Sequence, residues 1–298
     1  MSDSKFRSGF ITVIGRPNVG KSTLINRIVG EKVSIVSPRP QTTRNRVLGV
    51  RTDEKQAWQM VFVDTPGIHK PRTRLGDYME KTVQDAMQGM DVLVLMVDAA
   101  SVGARDRDIL LSLGAKKLPR ILAINKVDTV HPQTLLPLMD LFKDDDLTAI
   151  IPISARTGDG VDALVEEIVK HLPEGPRYFP EDMWTDQSER QICAELVREK
   201  TLCNLRDEIP HGIGVEIISI AQPREGLTEI HADLYVEREG HKRIVIGKQG
   251  SMLKRIGIQA REDIEALLGT QVNLQLFVKV RPDWRDNPRD LKTLGYTE

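Results

Sequence analysis

Gly15-Arg16-Pro17-Asn18-Val19-Gly20-Lys21-Ser22 follows the short apolar run 10–14 and opens an amphipathic stretch that starts near Lys21. The octapeptide fits G-x-x-x-x-G-K-[ST]. Glycines let backbone amides turn inward around a phosphate, and a helix N-terminus adds partial positive charge at the same point. In that pattern Lys21 reaches the β and γ phosphates of a nucleotide, and the Ser22 hydroxyl can ligate magnesium, with Thr23 next on the helix. A chance glycine-rich turn can share the composition. The strand before it and the helix after it are what distinguish a phosphate loop.

Outward from this loop, apolar runs recur at 61–63, 92–97, 121–124 and 149–153. Each is short and apolar throughout, as strands covered on both faces are. Helical patterns such as 106–113 and 161–172 lie between most of them. Such alternation predicts an α/β domain with a mainly parallel sheet and helices on both faces. Runs 47–52 and 55–63 have no helix between them, so a hairpin with one antiparallel edge strand is expected. The stretch 172–180 carries three prolines and a glycine and reads as a linker. After it come a helix over about 189–203, strands at 214–221 and 228–237, a glycine loop, a helix over about 251–268 and a strand at 272–280. The expected division is 1–172, a linker 173–185, and an α+β domain 186–298.

The loop alone does not separate GTPases from ATPases or small kinases. Asp64-Thr65-Pro66-Gly67 follows the run 61–63. An acid at a strand end can hold magnesium through water, and the Gly67 amide can meet a γ phosphate. Asn125-Lys126-Val127-Asp128 follows 121–124. The Asp128 carboxylate can accept from both N1–H and the amino group of guanine, a donor pair that adenine lacks. Asn125 can bond N7 and tie loops, and the Lys126 stem can cover the base. Ser154 and Ala155, ahead of Arg156, can present amides to guanine O6. Each tetrapeptide is weak alone; their order, each at the end of a strand, places them where open α/β sheets bind ligands. The polar stretch 37–44 is a surface loop or a mobile switch that supplies a magnesium-ligating hydroxyl. Thr43 is favoured for that role, with Thr42 the alternative. Residues 68–76 read as a second switch hinged at Gly67. A small-molecule kinase would leave 125–128 without a task. A scaffold that binds nucleotide only for its fold is the other rival.

On these motifs, GRPNVGKST at 15–23, QTTR at 41–44, DTPG at 64–67, NKVD at 125–128 and PISA at 152–155, the chain closely resembles the Era-like family of GTPases. The resemblance extends over nearly the whole chain. It implies a slow GTPase that binds GTP or GDP with magnesium. Lys21, Asn18, Thr43 and Gly67 would serve catalysis, and Asn18 would hold a potassium ion beside the phosphates. Ras-type enzymes place a water-orienting Gln after the second-switch glycine. Here Ile68 stands in that place, a hydrophobic substitution that the family shares. Arg44 and Arg72 are the nearest candidates for a cis arginine.

Ile246-Gly247-Lys248-Gln249-Gly250 carries a GxxG signature. In a KH domain such a loop joins two helices and clamps about four single-stranded nucleotides. GxxG alone is more often a turn. Here Arg238, Lys242, Arg243, Lys248, Lys254, Arg255 and Arg261 stand within 24 positions against Glu239 alone, in a chain that is otherwise balanced. That is the electrostatic footprint of a nucleic-acid face, although a solvated helix face would look similar. The element order fits a type II KH fold. Candidate RNA contacts are Arg243, Gly247, Lys248, Gln249, Gly250, Lys254, Arg255, Arg261, Lys279 and Arg281. Trp284 either stacks on a base or packs the last strand, and Arg285 is a phosphate candidate. The resemblance implies binding of small-subunit (16S) ribosomal RNA near its 3′ end, assistance in maturing that subunit, and a monomer.

The 298 residues suggest two domains, at about 150 residues each. With 42 Lys+Arg against 43 Asp+Glu the chain is not a uniformly basic nucleic-acid binder. Cys193 and Cys203 form no CxxC pair and read as reduced thiols. The six histidines show no metal spacing, and Met87, Met90 and Met96 read as core filler. The polar start has no signal-peptide core, and run 92–97 is far short of a membrane span. A cytoplasmic protein is expected, with room for peripheral contact at the cytoplasmic face of the membrane.

Overall fold

The computed structural model describes residues 6–39, 41–67, 73–112, 118–205 and 212–296. Ile68, His69, Arg72 and His211 lie outside the described residues. Two compact units are formed. The described parts of Met1–Ser34, Thr43–His69 and Glu80–Asp186 make the first, and those of Ile35–Thr42, Lys70–Met79 and Gln187–Glu298 make the second.

The first unit holds a six-stranded sheet. Its strands are β1 (Arg7–Ile14), β2 (Val47–Asp53), β3 (Trp58–Asp64), β4 (Val92–Asp98), β5 (Arg120–Asn125) and β6 (Ala149–Pro152), in the order β2-β3-β1-β4-β5-β6. β2 pairs antiparallel with β3, with Val50 opposite Val61, and every other pair is parallel. The hairpin and the antiparallel edge expected from 47–63 are therefore present. β4 shows why the run 92–97 has no alternation. Val92, Val94 and Met96 join one core with α1 (Lys21–Val29) and α5 (Val161–His171). Leu93, Leu95 and Val97 join another with α3 (Ala104–Ser112) and α4 (Leu135–Asp140). A strand covered on both faces has no polar side to show.

The proline-rich segment packs on this unit. Gln59 is fully buried in β3, and its amide is satisfied by that segment together with Thr52 Oγ1 of β2, which accepts from Nε2 at 2.9 Å. Its Oε1 accepts from Tyr178 N at 2.8 Å and Phe179 N at 3.1 Å, and its Nε2 donates to Phe179 O at 2.9 Å. Farther on, Leu48 N donates to Asp186 Oδ1 at 3.1 Å and Val50 N to Trp184 O at 3.0 Å. The segment thus covers amides that the edge strand β2 would otherwise offer.

In the second unit, α6 (Glu189–Asn204) begins at a capping box between Ser188 and Gln191. β7 (Gly214–Arg224) pairs antiparallel with β8 (Leu227–Val236), which pairs parallel with β9 (Gln271–Val280). α7 (Glu239–Ile246), the glycine loop and α8 (Ser251–Leu268) connect β8 to β9. A parallel pair needs such a crossover. α2 (Arg74–Ala86) contributes Leu75 and Met79 to a core with Trp284, Leu291 of α9 (Pro288–Thr293) and Tyr296. Trp284 is fully buried and its indole N–H donates to Gly212 O at 3.0 Å, so of the two readings it packs rather than stacks. Cys193 is buried, with its thiol pushed up to about 11 chiefly by burial, and Cys203 is exposed. Among the described residues no helix is long and apolar enough to cross a membrane, and no His, Cys, Asp and Glu cluster could hold a metal.

Candidate functional site

β1 and its two parallel neighbours, β3 and β4, make the point where the strand order turns back, and the loop at the end of β1 opens there. Gly15 to Gly20 bend into α1. Gly20 has φ 108° and lies against Asn125, where a Cβ would fall 2.3 Å from the amide nitrogen; only glycine fits. Asn18 takes φ 63°, uncommon for a residue with a side chain. Arg16 Nε donates to the buried Asp106 at 2.7 Å. Val19 is buried, and its carbonyl accepts from Asn125 Nδ2 at 2.6 Å.

Lys21 is buried and donates to the carbonyls of Gly15 and Arg16, each at 3.2 Å. Burial pushes its amine down to about 8, against the opposing field of Asp64. Asp64, fully buried, is shifted the other way, up, by burial, although Ser22, Lys21, Ser34 and Thr43 all oppose the shift. Three oxygens converge here. Ser22 Oγ donates to Asp64 Oδ2 at 2.7 Å, Thr43 Oγ1 lies 3.3 Å from the same atom, and the two hydroxyls are 3.0 Å apart. Asp64 Oδ1 is buried and accepts no hydrogen bond from the described residues. Of the two candidate threonines, Thr43 meets this cluster. Thr42 Oγ1 instead donates to Arg39 O at 2.7 Å and lies 2.7 Å from Ser37 Oγ. Thr65 Oγ1 holds Val13 O at 3.2 Å, Pro66 is buried, and Gly67 abuts Pro17.

At the ends of β5 and β6, Asn125 ties three loops. It donates to Val19 O, and its Oδ1 accepts from Ala155 N at 2.8 Å. Lys126 has φ 66°, and its ammonium pairs with Asp98 at 2.6 Å. Asp128 accepts from Ser154 Oγ at 2.6 Å through one oxygen and from the Arg156 guanidinium through the other. The Ser154 bond, then Arg156, hold its carboxyl below the usual carboxylate range. Its two oxygens thus face two donors at once, the geometry a guanine edge would use. The Arg156 contact has only a weak signal in sequence, the cation two places after Ser154.

In the second unit Gly247 and Gly250 have φ 74° and 78°, and Gln249 between them has φ 52°. Lys248 and Gln249 project exposed, as do Arg243, Lys254, Arg255 and Arg261. An open groove of about 340 Å³ runs from the loop between α8 and β9. Gly250, Lys254 and Arg261 line it together with Leu253, Ile258, Leu274 and Leu276. The motif and the charge pattern do not point to these apolar members. Their signal is that α8 is apolar on two sides. Ile256, Ala260 and Ile264 are buried beneath it, while Ile258 remains 42% exposed. Lys279 and Arg281 are not brought to this groove. Strand alternation sets Lys279 on the face opposite Leu274 and Leu276, where it pairs with Asp233 at 2.5 Å. Arg281 lies over the Tyr235 ring and pairs with Asp290 at 3.2 Å, and Arg285 pairs with Glu237 at 2.7 Å.

The chain matches two family descriptions, "50S ribosome-binding GTPase" over residues 10–126 and "KH domain" over residues 208–285. It is 50% identical over 293 residues to GTPase Era of Ruminiclostridium cellulolyticum, covering 98% of each chain. To GTPase Era of Alkaliphilus metalliredigens it is 50% identical over 294 residues, covering 98% of this chain and 99% of that one. A crystal structure of Era with MgGDPNP and nucleotides 1506–1542 of 16S ribosomal RNA superposes with a TM-score of 0.94 at 42% identity, covering 98% of this chain and 100% of that one. An Aquifex aeolicus Era variant bound to GDP and AlF4− superposes with a TM-score of 0.93, at the same identity and coverage. With half of its residues identical to these relatives over nearly the whole length, and with both family descriptions matched in order, this chain belongs to the Era family of GTPases that carry a KH domain.

Proposed function

We propose that this GTPase is a switch whose KH module binds 16S ribosomal RNA near its 3′ end and so assists maturation of the small ribosomal subunit. The observation that carries the nucleotide half is Asp128, whose two oxygens each hold a donor beside Asn125. The groove beside the GxxG loop, cationic at its rim and apolar in its floor, supports the RNA half. The Era structure with RNA supports the choice of target. The proposed parts are a GTPase domain 1–172 and a KH domain 186–298, joined by a linker 173–185 that itself packs on the first unit. The experiment is RNA affinity measured with GTP analogue, with GDP and without nucleotide. Equal affinity in all three states would remove the switch from the reading.

In the nucleotide site, residues 15–23 and 64–67 would surround the phosphates, and Asn125, Lys126, Asp128, Ser154 and Ala155 the base. Ser22, Thr43 and Asp64 fit a magnesium site, because three oxygens converge and Asp64 Oδ1 is buried with no hydrogen bond from the described residues. Bound with the phosphates, magnesium would neutralise charge that builds on them during transfer. Lys21 would give up its carbonyl partners for phosphate oxygens, and the Gly67 amide would meet the γ phosphate. Ile68, not a water-orienting Gln, comes directly after Gly67 in the sequence, so slow intrinsic turnover is expected. The potassium reading rests on Asn18. Hydrolysis should be faster in potassium than in sodium, and Asn18→Ala should abolish the difference. The reading includes a monomer in the cytoplasm with peripheral contact at the inner membrane.

Lys21 also sets a pH dependence. Its amine loses its proton near pH 8 in the free protein. Bound phosphates favour the charged form and raise that value. Binding then takes up a proton at higher pH, so GDP affinity should fall as pH rises through about 8. Isothermal titration from pH 7 to 9 should show the fall. Lys21→Met should bind weakly, with a flatter pH profile.

A further inference from the structure

The helix that opens at the phosphate loop also reaches the loop after β6. Arg27 stands in the last turn of α1. Its Nε donates to Ala155 O at 3.3 Å, and its Nη2 donates to Arg156 O. The two carbonyls are consecutive, and a guanidinium offers them N–H groups fixed in one planar fork. Within the loop, Ser154 N donates to Asp159 O and Gly158 N to Ser154 O, each at 2.8 Å. The turn is thus closed by other groups than the two carbonyls that Arg27 holds. Gly158 lies against Arg27, and a Cβ there would fall 3.5 Å from Nη1. All of these residues belong to the first unit.

The grip has a geometric consequence. A carbonyl oxygen and the following amide nitrogen share one rigid plane. Holding Ala155 O and Arg156 O therefore fixes both peptide planes that flank Arg156, and with them the two torsions at its Cα. One plane ends at the Arg156 N–H. The other ends at the Thr157 N–H, which donates to Ser154 Oγ at 3.2 Å, and Ser154 Oγ in turn donates to Asp128 at 2.6 Å. The Arg156 side chain, aimed by the same torsions, meets the other oxygen of Asp128. Arg27 itself is exposed, and an exposed side chain of this kind adds little to the stability of a fold.

We propose that Arg27 is a positioning residue for guanine recognition, acting through the backbone on either side of Arg156. It keeps the main-chain amides of this loop in place for guanine O6. The helix that serves the phosphates with its first turn thus serves the base with its last. This rests on the reading of Asp128 and its neighbours as the base site. The phosphate contacts do not pass through Arg27, so the effect falls on how the base is read rather than on nucleotide binding in general.

The test uses the full chain and a pair of ligands that differ in one atom. They are GDP and 6-thioguanosine diphosphate, in which sulfur, a weak acceptor, replaces O6. Calorimetry gives both affinities, and the parent should prefer GDP. Arg27→Ala should weaken GDP about fivefold and the thio analogue by less than about twofold, so that the preference for oxygen shrinks. Arg27→Gln, whose amide can still donate to one carbonyl, should fall between the parent and Arg27→Ala. It carries the test should Arg27→Ala not fold. A parent that binds the two ligands equally would overturn the proposal, because no amide then reads O6. So would a preference that the variants leave unchanged, whether both affinities stay as they were or both fall together. A joint fall marks a purely structural role. Asp128→Asn separates this proposal from the base-site reading. If that variant keeps its GDP affinity, the base site is misplaced and the proposal fails with it. If it loses GDP while the Arg27 variants keep the parent's preference, only the role of Arg27 fails.

Discussion

Asp128→Asn should lose guanine nucleotide and gain xanthine nucleotide. The carboxylate accepts two donors at once, as its bonds from Ser154 and Arg156 illustrate. An amide keeps one acceptor and turns the other position into a donor. Guanine then meets a donor where it also donates, whereas xanthine presents an oxygen there. Breaking a paired, charge-assisted hydrogen bond in this way costs about 2 to 4 kcal/mol, or roughly 30- to 1,000-fold in affinity. Calorimetry with GDP and with xanthosine diphosphate on the same protein reads both changes. Unchanged GDP affinity would take Asp128 out of base recognition.

Replacing Lys248 and Gln249 together by Asp should weaken RNA binding by about two orders of magnitude or more at low salt. Both side chains are exposed in a loop whose backbone bends through positive φ at three of its four residues. Neither side chain is part of a core, so the domain should keep its fold. Two added negative charges would face RNA phosphates, and the Lys248 ammonium would no longer be there to pair with them. The slope of log affinity against log salt should flatten by about one unit for the cation removed. Fluorescence anisotropy with a single-stranded ribosomal RNA oligomer measures this, with GDP affinity on the same sample as the control. Retained RNA affinity would exclude the GxxG loop. Lys279, Arg281 and Arg285 would be poor substitutes, since each already faces an internal acid.

The contrast between Lys21 and Arg198 marks what a sequence can and cannot disclose. Lys21 works within one turn of its own loop, so its immediate neighbours reveal it. The same holds for Asp64 and Asp128, each read from a tetrapeptide at the end of a strand. Doubly covered strands were legible because burial on both faces leaves an unbroken apolar run, as in β4. Arg198, fully buried in α6, was not legible. A cation in mid-helix is ordinarily solvated, and nothing nearby in sequence tells that Thr42, 156 positions earlier, supplies its acceptor. Trp284 posed the same difficulty, since its partners Leu75 and Met79 lie some two hundred positions away. Which of Thr42 and Thr43 brings its hydroxyl beside Ser22 and Asp64 needed the backbone direction, which adjacent identical residues do not encode. The charge of Lys279 was legible, but its partner Asp233 became visible only when β8 and β9 were set in register.

The proline-rich segment has a consequence for how the chain can be divided. By composition it is a spacer, and a designer cutting out the nucleotide-binding half would stop at residue 172. That cut would strip the Gln59 side chain of its bonds to Tyr178 and Phe179, with the bond to Thr52 Oγ1 remaining, and leave Leu48 N and Val50 N bare along β2. Each orphaned polar group costs about 1 to 3 kcal/mol when it stays buried. An exposed strand edge also invites a second copy to pair with it. A fragment ending after Asp186 keeps these bonds. What reads as a tether between two halves is, for the first of them, a sealing strand without which the fragment would tend to aggregate.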